Sequence, residues 1–167
     1  GGDVTAPVTF IGYAIEDGDG GYTSFPDSTD LTGKVAMMLR YEPLDENGAS
    51  QWARRRFSPN SNIKKKMQAV LDRGAVGVIL VNPPNCRDGR RGLETTRSNR
   101  FGATEVPVVQ LSHTAAELLL LDTNLAALQK LADAGDTAPI ELGIVTLRTD
   151  VVYSGLKARN IGGIIQG

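Results

Sequence analysis

The 167-residue sequence contains one cysteine and one histidine, Cys86 and His113. A thiol and an imidazole are the parts of a nucleophile–base pair, in which the base takes the thiol proton and the thiolate attacks a carbonyl carbon. Each lies just past an apolar run of strand character, Ala75–Val81 before Cys86 and Val106–Leu111 before His113. In a parallel sheet such strand ends share one edge, where active sites often form. Arg87, Arg90 and Arg91 follow the thiol and favour its ionised form. The plainer account is a loop thiol and a histidine at a helix start, because a dyad needs contact geometry that sequence separation does not supply. Ser112 beside His113 adds nothing, since adjacent helical residues point apart. A single cysteine makes no internal disulfide and, with a single histidine, does not complete a tetrahedral metal site.

A second group is cationic. Arg54, Arg55 and Arg56 fall in one polar stretch, and Arg87, Arg90, Arg91, Arg97 and Arg100 in another. Guanidinium groups bind carboxylates bidentately, so these stretches are candidates for contact with an anion or acidic peptide. Trp52 and Phe57 lie among the first set; Trp and Arg are enriched at interface hot spots. The alternative is two solvated loops with Asp88 and Glu94 as partial counterions. Lys plus Arg is 18 against 19 Asp plus Glu, a net charge of −1, without the basic excess of a nucleic-acid binder. The acidic run Glu16–Gly21 departs from the EF-hand order and has no closing glutamate, and its glycines lack the Lys and Ser/Thr of a phosphate loop. It reads as an acidic turn. Met37 and Met38 read as core, and Lys64–Lys66 as a solvated helix face.

The elements that must position these groups follow from pattern. Apolar residues are 41% and charged residues 22% of the chain, ordinary globular usage, and the length suits one domain. No apolar run reaches the ~18 residues of a membrane span. Strands are expected at Val8–Ile15, Lys34–Arg40, Ala75–Val81 and Val106–Leu111, with Pro107 at the start of the last. Ser61 to Arg73 is expected to be helical, capped by Ser61, with Ile63, Met67, Val70 and Leu71 as its apolar stripe and Gly74 at its end. Strand, helix, strand predicts a parallel crossover. Ser112 or Thr114 opens a further helix, Thr114 and Glu117 fit a capping box, and Leu118–Leu121 is expected to pack inward. Asn124–Ala134 is a second amphipathic helix with Leu125, Leu128 and Leu131 inward and Gly135 as its stop. Ile140–Thr149 alternates like a half-exposed antiparallel strand. Loops fill Glu16–Asp30, Tyr41–Asn60 and Asn85–Glu105. The class expected is α+β.

Five stretches in order resemble one family. Val8–Ile15 is similar to the "FVGYGI" entry strand of protease-associated (PA) domains inserted in zinc aminopeptidases. Leu31–Met38 resembles their "GKvvlv" strand, Lys66–Ile79 their "GA.gvi" helix-to-strand unit, and Val106–Ser112 their "iPvv.is" strand. Ala158–Gly167 is similar to the segment where the peptidase domain resumes. Ala14 departs from the pattern, which more often has Gly, and the arginine loops follow no motif of the family.

The resemblance implies a β-sandwich or open-barrel core with flanking helices, of swivelling β/β/α type. It implies a single domain over 1–167, with 158–167 as the start of the return into a missing peptidase domain, and chain ends that belong to a longer protein. The zinc of such a parent is expected in that missing domain, with no cofactor or metal in this chain and no catalytic residue. The expected partners are the missing catalytic domain and the parent's peptide or protein substrate, without nucleic acid or a membrane span; the expected location is secreted or in the cell envelope or periplasm. The function expected is control of substrate access or protein interaction. Two rivals stand beside it: a free-standing cysteine hydrolase using Cys86 and His113, and a purely structural or oligomerisation domain. Deletion of Asn85–Arg100 is expected to spare the fold and change the parent's substrate preference.

Overall fold

The structure is a computed structural model that describes residues 2–26, 29–87, 93, 104–136 and 138–150. Its strands are β1 (Gly2–Phe10), β2 (Val35–Leu39), β3 (Gly77–Val81), β4 (Val108–Leu111) and β5 (Ile140–Thr149), and its α-helices are α1 (Ile63–Leu71), α2 (His113–Glu117) and α3 (Leu125–Asp133). They form one sheet in the order β4-β3-β2-β1-β5. Neighbours from β1 to β4 are parallel, and β5 runs antiparallel to β1. The sheet curls: a Cβ placed on Gly2 at the start of β1 would lie 3.1 Å from Pro107, on the lead-in to β4. The architecture is therefore α+β with an open, half-barrel sheet, as expected.

The alternation of side chains across each strand divides the core in two. Val35, Met37 and Leu39 of β2 face α2 and α3, which contribute Ala116, Leu125, Leu128 and Ala132. Ala36 and Met38 face α1, which contributes Met67, Ala69 and Val70. Every residue of β2 and β3 is buried, which is why both read as unbroken apolar runs. Pro107 precedes β4, and the β2–α1–β3 crossover joins parallel strands. Gly74 follows α1 with φ +87.

Several expectations are corrected. β1 begins at Gly2 and stops at Phe10, because the ten-residue β5 pairs with it from Gly2 onward. Pro7 is accommodated at an irregularity in that pairing, before the parallel pairing with β2 starts at Val8, so its missing N–H is not needed there. Ile11–Ile15 leaves the strand, with Gly12 at φ +58 and Ala14 at φ +54, although Ile11, Tyr13, Ala14 and Ile15 remain buried. Ala14 thus occupies a left-handed conformation that suits glycine, at about 1–2 kcal/mol for an L side chain. Asn62 caps α1, its side chain accepting from the Lys64 N–H; Ser61 closes a preceding 3-10 turn capped by Ser58.

In α2, Ser112 is the cap, and Glu117 accepts from the Leu125 N–H (3.0 Å) instead of completing a box with Thr114. Leu118 and Leu121 are 82% and 84% exposed, and only Leu120 of that run is buried. In α3 the buried positions are Leu125, Leu128, Gln129 and Ala132. Leu131, six residues past Leu125, has rotated off the stripe that 3.6 residues per turn defines and is exposed. Lys66 also reverses its expected place and is one of the most buried side chains of the molecule.

Candidate functional site

β2, β3 and β4 end together at Leu39, Val81 and Leu111, so the segments that leave them rise from one edge of the sheet. The segment after β2 carries Trp52 and Arg54–Arg56; the one after β3 carries Cys86 and Arg87. The backbone fastens the two to each other. The Arg87 N–H donates to the Gly48 carbonyl (3.0 Å), and the Asn85 side-chain amide donates to the carbonyls of Asp45 (3.1 Å) and Glu46 (3.3 Å). The Asn85 N–H donates to Gln129 Oε1 of α3 (3.0 Å). Gly48 sits in the contact at φ +73, and a Cβ there would lie 1.8 Å from the Asn85 carbonyl oxygen.

Beneath this edge lies a buried polar network. Glu42 is 0% exposed. Its carboxylate accepts from the hydroxyls of Ser50 and Ser58 and from the Ser58 N–H (2.7 Å). Ser50 Oγ in turn accepts from the N–H groups of Trp52 (3.0 Å) and Ala53 (2.9 Å). A buried carboxylate therefore fixes the backbone that leads into the arginines. Lys66 of α1, 1% exposed, donates from Nζ to the carbonyls of Leu39 (2.8 Å) and Tyr41 (2.5 Å) at the end of β2, and lies 5.6 Å from the Tyr13 ring centroid. Asp133 of α3 accepts from Tyr13 Oη (2.6 Å), the Leu44 N–H (2.8 Å) and Gln129 Nε2 (3.0 Å). Two helices thus hold one loop, α1 through Lys66 and α3 through Asp133, and Glu42 ties that loop from within.

The segments above the network carry exposed arginines. Arg54, Arg55, Arg56 and Arg87 are exposed, and none pairs with a carboxylate among the described residues. Trp52 is half-buried, edge-on to Tyr22 with ring centroids 5.3 Å apart. Phe57 stacks on Tyr41 at 4.3 Å and pins the far side of the arginine run. The PA (protease-associated) domain matches residues 3–119, more than half of the chain. The chain belongs to the PA domain family. No curated protein matches it.

In this PA domain the thiol and the imidazole stay apart in role. Cys86 is 3% exposed, packed with Tyr41, Leu44 and Phe57. His113 Nε2 bonds the Asn82 carbonyl (2.9 Å). Both do follow parallel strands on one edge, as expected, but a thiol sealed among aromatic rings is not presented to a substrate. The described residues hold no group of three or more His, Cys, Asp or Glu side chains placed to share a metal ion. No helix of the described residues is long and apolar enough to cross a membrane. Arg90, Arg91, Arg97 and Arg100, and the segment 158–167, lie outside the described residues. The deletion expected to spare the fold would remove Asn85, Cys86 and Arg87, which are tied to the loop after β2 and to α3.

Glu42, Lys66 and Asp133 are the residues that sequence reading missed. Lys66 had a signal, since it is three residues after Ile63 and four before Val70, on the apolar stripe of α1. Burial, then the nearby Arg40 cation, hold its ammonium well below the usual lysine value, against the pull of the Glu42 carboxylate. Burial also pushes the Tyr22 hydroxyl from 10.0 to about 12. It pushes Tyr13 well above 10.0, with help from the Asp133 charge.

These shifts oppose each other across pH. The Lys66 share of stability is present above 10.5 and lost as pH falls through its depressed value. The tyrosine shares are full below 10.0 and lost as pH rises, for Tyr22 through about 12. Together the three groups place maximum stability near pH 10. Tyr22 alone accounts for a fall of about 2–3 kcal/mol above it. Urea midpoints between pH 8 and 12 check this, and Tyr22→Phe should flatten the alkaline side.

Proposed function

We propose that this PA domain is the non-catalytic module of a secreted or cell-envelope zinc aminopeptidase, and that it governs substrate access by holding the anionic part of a peptide against Arg54, Arg55, Arg56 and Arg87. The observation that carries the reading is the exposed Arg54–Arg56 run, without a carboxylate partner among the described residues, on a loop whose backbone is fixed from below by the buried Glu42. A fixed loop loses little further freedom on binding, so its guanidinium groups meet a carboxylate with less ordering loss than a mobile loop would. Arg90, Arg91, Arg97 and Arg100 follow Arg87 in sequence and belong to the same proposal. The zinc and the bond-breaking groups belong to the peptidase domain, and the partners of this chain are that domain and its peptide or protein substrate.

The parent peptidase provides the test. Deletion of Asp88–Arg100, or Ala at Arg54, Arg55 and Arg56 together, should raise KM for long acidic peptides several-fold. Both should leave the hydrolysis of a dipeptide amide unchanged, because only long substrates reach the module. Unaltered kinetics on long and short acidic peptides in both variants would contradict the reading, and would favour a spacer or oligomerisation role.

A further inference from the structure

A cleft of about 440 Å³ lies between α1 and the lead-in to β4. Its apolar lining is Met67 and Leu71 of the helix, Ala75 just after it, and Val106 before β4. Neither Arg54–Arg56 nor Arg87 lines it. Ligand pockets begin at about 300 Å³, so the cleft suits a small molecule. The apolar floor follows from the helix. Met67 and Leu71 are four residues apart on one stripe of α1. Met67 and Ala75 belong to the buried core on that face of the sheet, with Leu71 packed against it.

The polar side chains of the cleft are of two kinds. Gln68 Nε2 donates to Asp72 Oδ1 (2.6 Å) and Thr104 Oγ1 to the Val106 carbonyl (3.1 Å), so both are committed within the protein. The Lys64 ammonium and the Glu105 carboxylate line the same cleft, yet neither has a hydrogen bond or ion pair among the described residues. They do not bridge each other. Lys64 lies in the first turn of α1, where the helix dipole adds to its attraction for an anion. A simple anion would answer only Lys64, and a simple cation only Glu105. A zwitterion answers both and brings no net charge. The floor also sets a length: Lys64 and Leu71 are seven residues apart in α1, about 10 Å along the helix axis. A single amino acid is shorter than that floor. An extended dipeptide runs about 7 Å, with its ammonium and carboxylate at opposite ends.

We infer that the cleft between α1 and the lead-in to β4 binds an apolar dipeptide with both ends free. Lys64 takes its carboxylate, Glu105 takes its ammonium, and its side chains lie on Met67, Leu71 and Val106. Exposed ion pairs add little affinity, so the two charges fix orientation and the apolar side chains supply most of the binding. The site goes beyond the proposed contact at the arginines. Its ligand is short and zwitterionic instead of long and anionic, and it rests on the cleft alone.

Five probes test this: leucylleucine, its N-acetyl form, its C-terminal amide, free leucine and glycylglycine. Titration of the 167-residue chain, followed by amide NMR shifts, should show saturable, millimolar binding of leucylleucine. The shifts should centre on Lys64, Leu71, Ala75 and Val106. Each capped form should bind about threefold more weakly, free leucine severalfold, and glycylglycine at least about tenfold. Lys64→Gln should abolish the preference for the free carboxylate over the amide. Glu105→Gln should abolish the preference for the free ammonium over the acetyl form. Both positions are exposed, so the fold is kept. Ala at Arg54, Arg55 and Arg56 should leave every one of these affinities unchanged, so this site and the arginine surface fail independently. No saturable binding of leucylleucine, equal binding of either capped form or of free leucine, or preferences that survive both single variants overturns the inference.

Discussion

Glu42→Ala is expected to destabilise the domain by about 3–5 kcal/mol, the range for removing one partner from a buried ionic arrangement. The carboxylate is fully buried and accepts from two hydroxyls and one backbone N–H. Its loss leaves those three donors without their acceptor, each at about 1–3 kcal/mol where water does not enter. It also removes a negative charge that supports Lys66. Relief of the carboxylate's own desolvation offsets part of this, which is why the total stays below the sum of the parts. Glu42→Gln keeps one acceptor oxygen and should lose roughly half as much. Urea unfolding gives both values, and an unchanged slope with a lower midpoint shows that stability alone has moved.

Gly48→Ala should have a comparable effect for a different reason. The new Cβ would lie 1.8 Å from the Asn85 carbonyl oxygen and 2.7 Å from the Arg87 nitrogen. Both are backbone atoms with no side-chain freedom to yield. The segments after β2 and β3 must separate, and the bonds from Arg87 to Gly48 and from Asn85 to Asp45 and Glu46 go with them, each about 0.5–1.5 kcal/mol. The positive φ of +73 adds about 1–2 kcal/mol for any L side chain, for a total of about 3–5 kcal/mol. Gly20→Ala is the control: its φ is +68 and nothing lies within 4 Å of its added Cβ, so only the conformational part remains. Hydrogen exchange at residues 44–50 and 85–87 should accelerate in Gly48→Ala and not in Gly20→Ala.

The parts of this molecule that were legible in its sequence are those whose causes are local. β2 and β3 are buried on both faces and read as apolar runs, the crossover between them is short, and the alternation of Ile140–Thr149 records a strand with one face to solvent. The exposure of Arg54–Arg56 was equally plain, since three consecutive guanidinium groups do not share a core. Glu42 and Asp133 were not legible, because their partners are distant in sequence: Ser50 and Ser58 for one, Tyr13 and Leu44 for the other. Lys66 lies between these cases. Its spacing placed it on the buried stripe of α1, but its charge argued for solvent. What decided was the pair of carbonyls at the end of β2, which need a donor that the sheet does not provide. The reactive reading of Cys86 failed for the same reason. The chain order put it at the right edge, and the stacked Tyr41 and Phe57 rings that cover it are contributed by another loop.

The chain has a single tryptophan, and Trp52 stands two residues before the arginine run, on the backbone that Ser50 and Glu42 hold. Its fluorescence is therefore a direct report on whether anionic peptides engage this face. Titration with a glutamate-rich peptide should give a saturable change that weakens steeply with added salt and disappears when Arg54, Arg55 and Arg56 are Ala. A signal that a lysine-rich peptide reproduces, or that persists in the triple variant at the same salt, would contradict the account.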